Sequence, residues 1–287
     1  MDIDSYLDYL RCVKKYSSNT VNSYNEDITE YISVINKDIR KVCEEDIKKY
    51  LEYLYNKNIS KSSISRKLSS VRGLYNYLYT NNKIDTNIFS DIHNPKKNKT
   101  LPNFLTDKEV SMLLDLKIDS IYFSRNSLII ELFYSTGIRV SELVNITLED
   151  INMHDKTIKI LGKGSKERIV YFGKYCFDKL NKYINEDRRL FDKYNSKYLI
   201  LNKNGNKITT RQIENIINYY TFRCGLNKKI SPHVLRHTFA TSMLNNGADI
   251  VSVKEYLGHE SISTTSIYTH VTNEKIRDVY NNCHPRS

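Results

Sequence analysis

No stretch of about 18 apolar residues occurs among the 287 residues, which excludes a helix built to cross a bilayer. The N-terminal "MDIDSYLDYL" lacks the basic start of a secretory signal, so a soluble, cytoplasmic protein without a membrane anchor is expected. The five cysteines, at 12, 43, 176, 224 and 283, are odd in number, widely spread and never form a C-x-x-C pair. Reduced thiols that bind no metal follow from that spacing. Neither H-E-x-x-H nor G-x-x-x-x-G-K-[ST] is present, which argues against a zinc protease helix and an ATP-binding loop. Internal repeats and low-complexity tracts are also missing.

What the chain does have is positive charge, 44 Lys and Arg against 33 Asp and Glu. A formal +11 favours a polyanionic partner, and charge alone does not choose between nucleic acid and an anionic surface. The length favours two domains. "NPKKNKTLP", residues 94–102, is cationic, poor in apolar residues and has a proline near each end, so it reads as an extended linker reaching at most about 30 Å. Residues 1–93 carry 14 basic against 13 acidic side chains, which leaves 30 against 20 for the rest. The strongest attraction for a polyanion therefore lies beyond the linker.

Residues 1–93 read as helices. Ile47, Leu51, Leu54 and Tyr55, and then Ile64, Leu68, Val71, Leu74 and Leu78, recur at helical spacing as expected core faces. Opposite the second stripe, Lys61, Arg66 and Arg72 with Ser62 and Ser69 form a basic strip that either enters a DNA groove or is merely solvated. After the linker, Thr106 and Glu109 form a capping box, a helix through "SLIIELFYSTG" stops at Gly137, and "TIKILGKGSKERIVYF" reads as a β-hairpin with a basic, glycine-rich turn. The remainder is helical.

In "SPHVLRHTFAT", Ser231 suits an N-cap and Pro232 the first helical position. His233, Arg236 and His237 follow at i, i+3 and i+4, which predicts a shared face beside an anion-favouring helix start. A two-histidine zinc site is argued against by Val234, where Glu would be required, and by the fixed cation of Arg236. A phosphate there would explain more of the residues, although histidines that only cap or pack remain open. Arg139, just after the helix stop, is suited to grip such a phosphate or simply to pair with Glu142, and Lys163 on the hairpin turn could reach it. His259 follows a helix end at Gly258, and Tyr268 lies nine residues on in a short helix capped by Ser263.

In their order and spacing, "TGIRVSEL", "GKGSKER", "TTRQ", "LRHTFAT", "LGHESISTTSIYTHV" and the ending "HPRS" resemble the tyrosine recombinase family, the phage-type integrases, and most closely its bacterial Xer-type members. The resemblance runs over essentially the whole chain. It implies a mainly α fold with a small β-hairpin or sheet in the catalytic domain, as a two-domain C-shaped clamp. Residues 1–93 would be a helical core-DNA-binding domain and 103–287 the catalytic domain, with a C-terminal docking helix at about 273–283. In relatives this last segment docks on the neighbouring subunit around a Holliday junction; docking in cis is the alternative.

The same resemblance implies that Tyr268 is the nucleophile forming a 3′-phosphotyrosyl link, with Arg139, Lys163, His233, Arg236 and His259 completing the catalytic set. The chemistry suits these residue types, because a phenol with pKa about 10 needs a base and surrounding positive charge. His233 is the candidate base and Lys163 the candidate acid, with His237 and Glu142 in supporting positions. Arg211 and Gln212 would open the major-groove helix, reading guanine and adenine, or contact phosphates only. Asn126 and Tyr171 stand where the family usually has Asp and Pro. No metal and no cofactor is implied. The implied partners are double-stranded DNA at a short, partly palindromic site, a homotetramer or a heterotetramer with a second Xer-type recombinase, and an activating DNA translocase. Chromosome dimer resolution in chromosome partition and cell division is the expected role. The alternatives are an integrase or excisionase of a mobile element and a catalytically silent DNA-binding regulator.

Overall fold

The computed structural model describes residues 2–92, 94–95, 104–162, 167–258 and 273–287. The chain divides into two compact units, residues 1–101 and 102–287.

In the first unit Tyr6, Leu7 and Leu10 give α1 (Asp2–Cys12) one buried face. Ser17 caps α2 (Ser18–Ile35), accepting the Thr20 N–H, and α3 (Glu44–Asn56) begins with three acidic residues that suit its positive end. Ser60 starts α4 (Lys61–Thr80) by accepting the Ser63 N–H at 3.1 Å, and Ile64, Leu68, Val71, Leu74 and Leu78 are buried along it. Each such side chain contributes about 1.5–3 kcal/mol when removed from water. Tyrosines fill much of this core: Tyr31, Tyr50 and Tyr75 are buried, with Tyr31 edge-on to Tyr50 and Phe89. The Tyr75 hydroxyl donates to the Ile39 carbonyl at 2.9 Å, so its one proton is used and the Tyr31 hydroxyl donates to it at 3.0 Å.

The second unit is built round a helix with almost no exposed face. The predicted capping box forms in α5 (Asp107–Leu114), where Thr106 accepts the Glu109 N–H and the Glu109 carboxylate accepts the Thr106 N–H. α6 (Phe123–Thr136) is buried continuously from Ser127 to Thr136, its polar Glu131, Ser135 and Thr136 included, with Ser135 donating to Glu131 and Thr136 to the Leu132 carbonyl. It ends at Gly137, whose φ of 59° and contacts both demand glycine, since a Cβ there would lie 2.6 Å from the Phe239 ring. A short α7 (Val140–Leu143) follows, then the antiparallel strands β1 (Ile151–Asn152), β2 (Thr157–Leu161) and β3 (Glu167–Tyr171) in the order β1-β2-β3. Ile158 pairs with Val170 on the covered face of the hairpin, and Ile160 with Arg168. The fold class is thus mainly α with a small sheet, as expected.

Helices α8 (Lys174–Lys182), α9 (Thr210–Arg223), α10 (Pro232–Asn245) and α11 (Ile250–Leu257) surround this core, and α12 (Asn273–Cys283) packs on α10, α11 and β3. In this single chain the C-terminal segment packs on its own unit. Tyr280 and His284 are buried in a stack with Tyr256 and Phe239. Arg286 reaches the fully buried carboxylate of Glu131 at 2.5 Å, which Lys179 and Ser135 also approach at 2.9 and 2.8 Å. Gly173 makes room for this tail, because a Cβ on it would lie 1.7 Å from the Arg286 carbonyl oxygen.

Candidate active site

The helix start read from "SPHVLRH" forms as expected: Ser231 accepts the Val234 N–H at 3.4 Å, and Pro232 opens α10. The three side chains on that side of the helix lie at different depths. His233 and His237 are exposed, while Arg236 is buried at 7% exposure. On a helix Arg236 is turned about 60° from His233 and about 100° from His237, so the border of the buried face runs between them. Its guanidinium donates through Nη1 to the Gly137 carbonyl at 2.5 Å and through Nη2 to the Leu257 carbonyl at 2.6 Å. Burial, with Arg139 close by, pushes the Arg236 pKa down to about 10, still well above neutral pH. Neither imidazole hydrogen-bonds to another described residue; His237 lies edge-on to Phe104, with ring centres 6.2 Å apart.

Arg139 is placed by the chain reversal at Gly137. As the N-cap of α7, its N–H donates to Glu142 Oε2 at 2.7 Å, its Nη1 to Glu142 Oε1 at 2.9 Å and its Nη2 to the Gly258 carbonyl at 3.1 Å. Glu142 is thus the partner of Arg139, as one reading of the sequence allowed. Its side chain is only 5% exposed, against 32% for Arg139, so the guanidinium keeps an outward side.

A third arginine, which the sequence reading passed over, completes the arrangement. Arg168 of β3 grips Glu142 with both Nη atoms at 2.8 Å and donates through Nε to the Tyr256 carbonyl at 3.2 Å. The only sequence signal for it is its position at the end of "GKGSKER", where it looks like one more basic hairpin residue. Burial alone would push the Glu142 carboxyl up; the hydrogen bonds from Arg168 and Arg139 outweigh it and hold the group below the usual carboxylate range.

Three guanidiniums therefore cap the end of α11, Arg168 at Tyr256, Arg236 at Leu257 and Arg139 at Gly258. The last carbonyls of a helix have no partner within it, and that end carries roughly half a negative charge. One carboxylate and that half charge do not balance three fixed cations, so the cluster keeps a positive excess of more than one unit. Such an excess beside the outward face of Arg139 suits an oxyanion. Lys163, His259 and Tyr268 lie outside the described residues, as does Ser263. The described chain leads into them from Gly162 and Glu167 on one side and from Gly258 on the other.

The expected DNA-contacting residues fare unevenly. Arg211 is exposed in the first turn of α9, but Gln212 uses its side-chain oxygen to accept the Thr209 N–H at 3.0 Å in a capping box. That oxygen is committed to the helix start, which competes with a two-point grip on adenine. Arg66 pairs with the buried Asp27, and Arg72 donates to the Ile92 carbonyl and, at 3.3 Å, to Asn94. These two are tied into the first unit rather than standing as a purely solvated strip. Lys61 is exposed in the first turn of α4. At the two departures from the family pattern, Asn126 accepts from Arg125 Nε and Nη2, and the Tyr171 N–H donates to the Tyr256 hydroxyl at 3.1 Å.

The pattern of the phage integrase family matches residues 103–275, and that of the phage integrase N-terminal SAM-like domain matches residues 3–82. The chain is 41% identical over 287 residues to the tyrosine recombinase XerC of Staphylococcus saprophyticus, covering 99% of this chain and 97% of that protein. Among solved structures it is similar to the XerA recombinase, with 29% identity, a TM-score of 0.51 and coverage of 100% and 99% of the two chains. It shares its fold with the XerH site-specific recombinase bound to its difH substrate, at a TM-score of 0.69 and 23% identity over 90% of this chain and 77% of that one.

Proposed function

Since the chain belongs to the phage integrase family, as a site-specific tyrosine recombinase of the Xer type, we propose that the three-arginine cluster at the end of α11 seats the scissile phosphate of its DNA. The single observation that carries this reading is the uncompensated charge of Arg139, Arg168 and Arg236 around Glu142. Arg139 and Arg236 each direct two Nη–H donors to the protein and have three donors left for nonbridging oxygens.

In this mechanism the Tyr268 oxygen attacks phosphorus in line as the bond to the 5′-oxygen breaks, and the chain end remains as a 3′-phosphotyrosine. His233, exposed at the start of α10, takes the phenolic proton, and Lys163 gives one to the departing 5′-oxygen. His259 adds a hydrogen bond to the phosphate. The phosphodiester energy is kept in the tyrosyl link, so attack by a 5′-hydroxyl of the partner strand reverses the step without ATP or a metal ion. His237 and Glu142 support the site, and Arg211 with Lys61 meets the duplex from the outside.

The working form is a tetramer on two short, partly palindromic sites, of this chain alone or with a second Xer-type recombinase, activated by a DNA translocase. Its role is chromosome dimer resolution before cell division, in the cytoplasm; no helix among the described residues is long and apolar enough to cross a membrane. Incubation with a nicked duplex carrying the site, in EDTA, followed by denaturing electrophoresis, tests the chemistry. A covalent adduct formed by the parent chain and lost in Tyr268→Phe is expected. A verified site that is bound but never trapped would rule the mechanism out.

A further inference from the structure

We infer that Arg168 is a positioning residue of the strand-cleavage reaction: it neutralises Glu142, so that Glu142 can hold Arg139 without cancelling the charge Arg139 presents to the phosphate. The inference rests on the recombinase reading above and deepens it.

Glu142 has two tasks that conflict electrostatically. It fixes Arg139 at two points, the backbone N–H at 2.7 Å and Nη1 at 2.9 Å, which sets where the guanidinium points. A carboxylate this close and this buried also screens the cation from any anion that approaches. Arg168 resolves the conflict. Its two Nη atoms meet the two carboxylate oxygens at 2.8 Å each, a fork that only a guanidinium can make, so the buried negative charge has a second, fixed counter-charge besides Arg139.

Its third contact adds a mechanical link. Arg168 is the second residue of β3, directly after the segment that carries Lys163, and its Nε holds the Tyr256 carbonyl two residues before Gly258. One side chain thus ties together the root of the hairpin turn, the carboxylate under Arg139 and the strand of chain that leads to His259 and Tyr268. With both Nη atoms and Nε given to protein acceptors and the side chain 15% exposed, Arg168 acts through Arg139 rather than on the substrate.

Single-turnover cleavage of the nicked duplex at saturating protein tests this. Arg168→Gln is expected to cleave roughly 10- to 100-fold more slowly while binding the site with nearly the parent's affinity. The double variant Arg168→Gln with Glu142→Gln, in which neither charge remains, is expected to recover at least about tenfold of that loss, a charge compensation that a purely structural part would not give. Should Arg168→Gln fail to fold, Arg168→Lys is read instead: it keeps the charge and loses the fork, and is expected to stay within about tenfold of the parent. Parent-like cleavage by Arg168→Gln, a double variant no faster than the single one, or Arg168→Lys more than 100-fold down would each overturn the inference. A parent chain that forms no Tyr268-dependent adduct on a bound site would instead overturn the recombinase reading.

Discussion

The two units each bury a carboxylate among cations, and they use it differently. In the first, Asp27 has a side chain 1% exposed and is met by Arg66, by Lys67 at 3.1 Å and by Ser70 at 2.8 Å, pinning α2 to α4. The cations are the accessories there: Arg66 remains 49% exposed and reaches water. In the second unit Glu142 is the accessory, and the arginines round it are held by helix-end carbonyls as well. Two cations touch each carboxylate, and the difference lies in what else holds them: Arg66 is half exposed, whereas Arg139 and Arg168 are also tied to carbonyls at the end of α11.

Removing each carboxylate separates the two cases. Glu142→Ala leaves three neighbouring guanidiniums without a counter-charge and is expected to cost about 3–5 kcal/mol of unfolding free energy, measured by denaturant titration. It should also slow cleavage. Asp27→Ala leaves cations that can turn to water, and a loss of about 1–3 kcal/mol with unchanged cleavage by the bound protein is expected. Equal losses for the two would erase the distinction.

Between these in size is a pH effect confined to the second unit. Burial pushes the pKa of His284 from 6.5 to about 4, with the Tyr134 carbonyl 3.1 Å from its Nε2 and Arg286 nearby. The unfolded chain therefore binds this proton first as pH falls, so the stabilisation is complete above about 6.5 and drains away towards pH 4. A loss of about 2 kcal/mol between pH 7 and pH 5 is expected, and His284→Phe should flatten that part of the profile. The smallest effect is at Arg66, where Arg66→Ala is expected to cost less than about 1 kcal/mol because the pair is half exposed. If Arg66 also touches phosphate, the salt dependence of DNA binding should fall by about one unit of slope.

What the sequence made legible was local. Ser231 with Pro232, Thr106 with Glu109, and the left-handed glycines Gly137 and Gly258 announced helix ends within a few residues, and the basic, glycine-rich turn in "TIKILGKGSKERIVYF" announced the hairpin. Arg139 and Glu142, three apart, could be paired on paper. Arg168 could not, because its carboxylate lies 26 residues away and no short-range period links a strand to a one-turn helix. The same holds for Arg66 with Asp27, 39 residues apart, and for Arg286 with Glu131, 155 apart. The inward turn of Arg236 was hidden for another reason: helical spacing tells which residues neighbour each other, and the tertiary packing decides where the edge of the buried face falls.

The most direct test of the arginine-cluster account is the single-turnover cleavage rate of Arg139→Lys beside that of Arg66→Lys, each read with its affinity for the site. Lysine keeps the charge in both and removes only the planar fork. The account predicts a fall of about 100-fold or more for Arg139→Lys at nearly unchanged affinity, with Arg66→Lys cleaving like the parent. Parent-like cleavage by Arg139→Lys, or an equal fall in both variants, would contradict it.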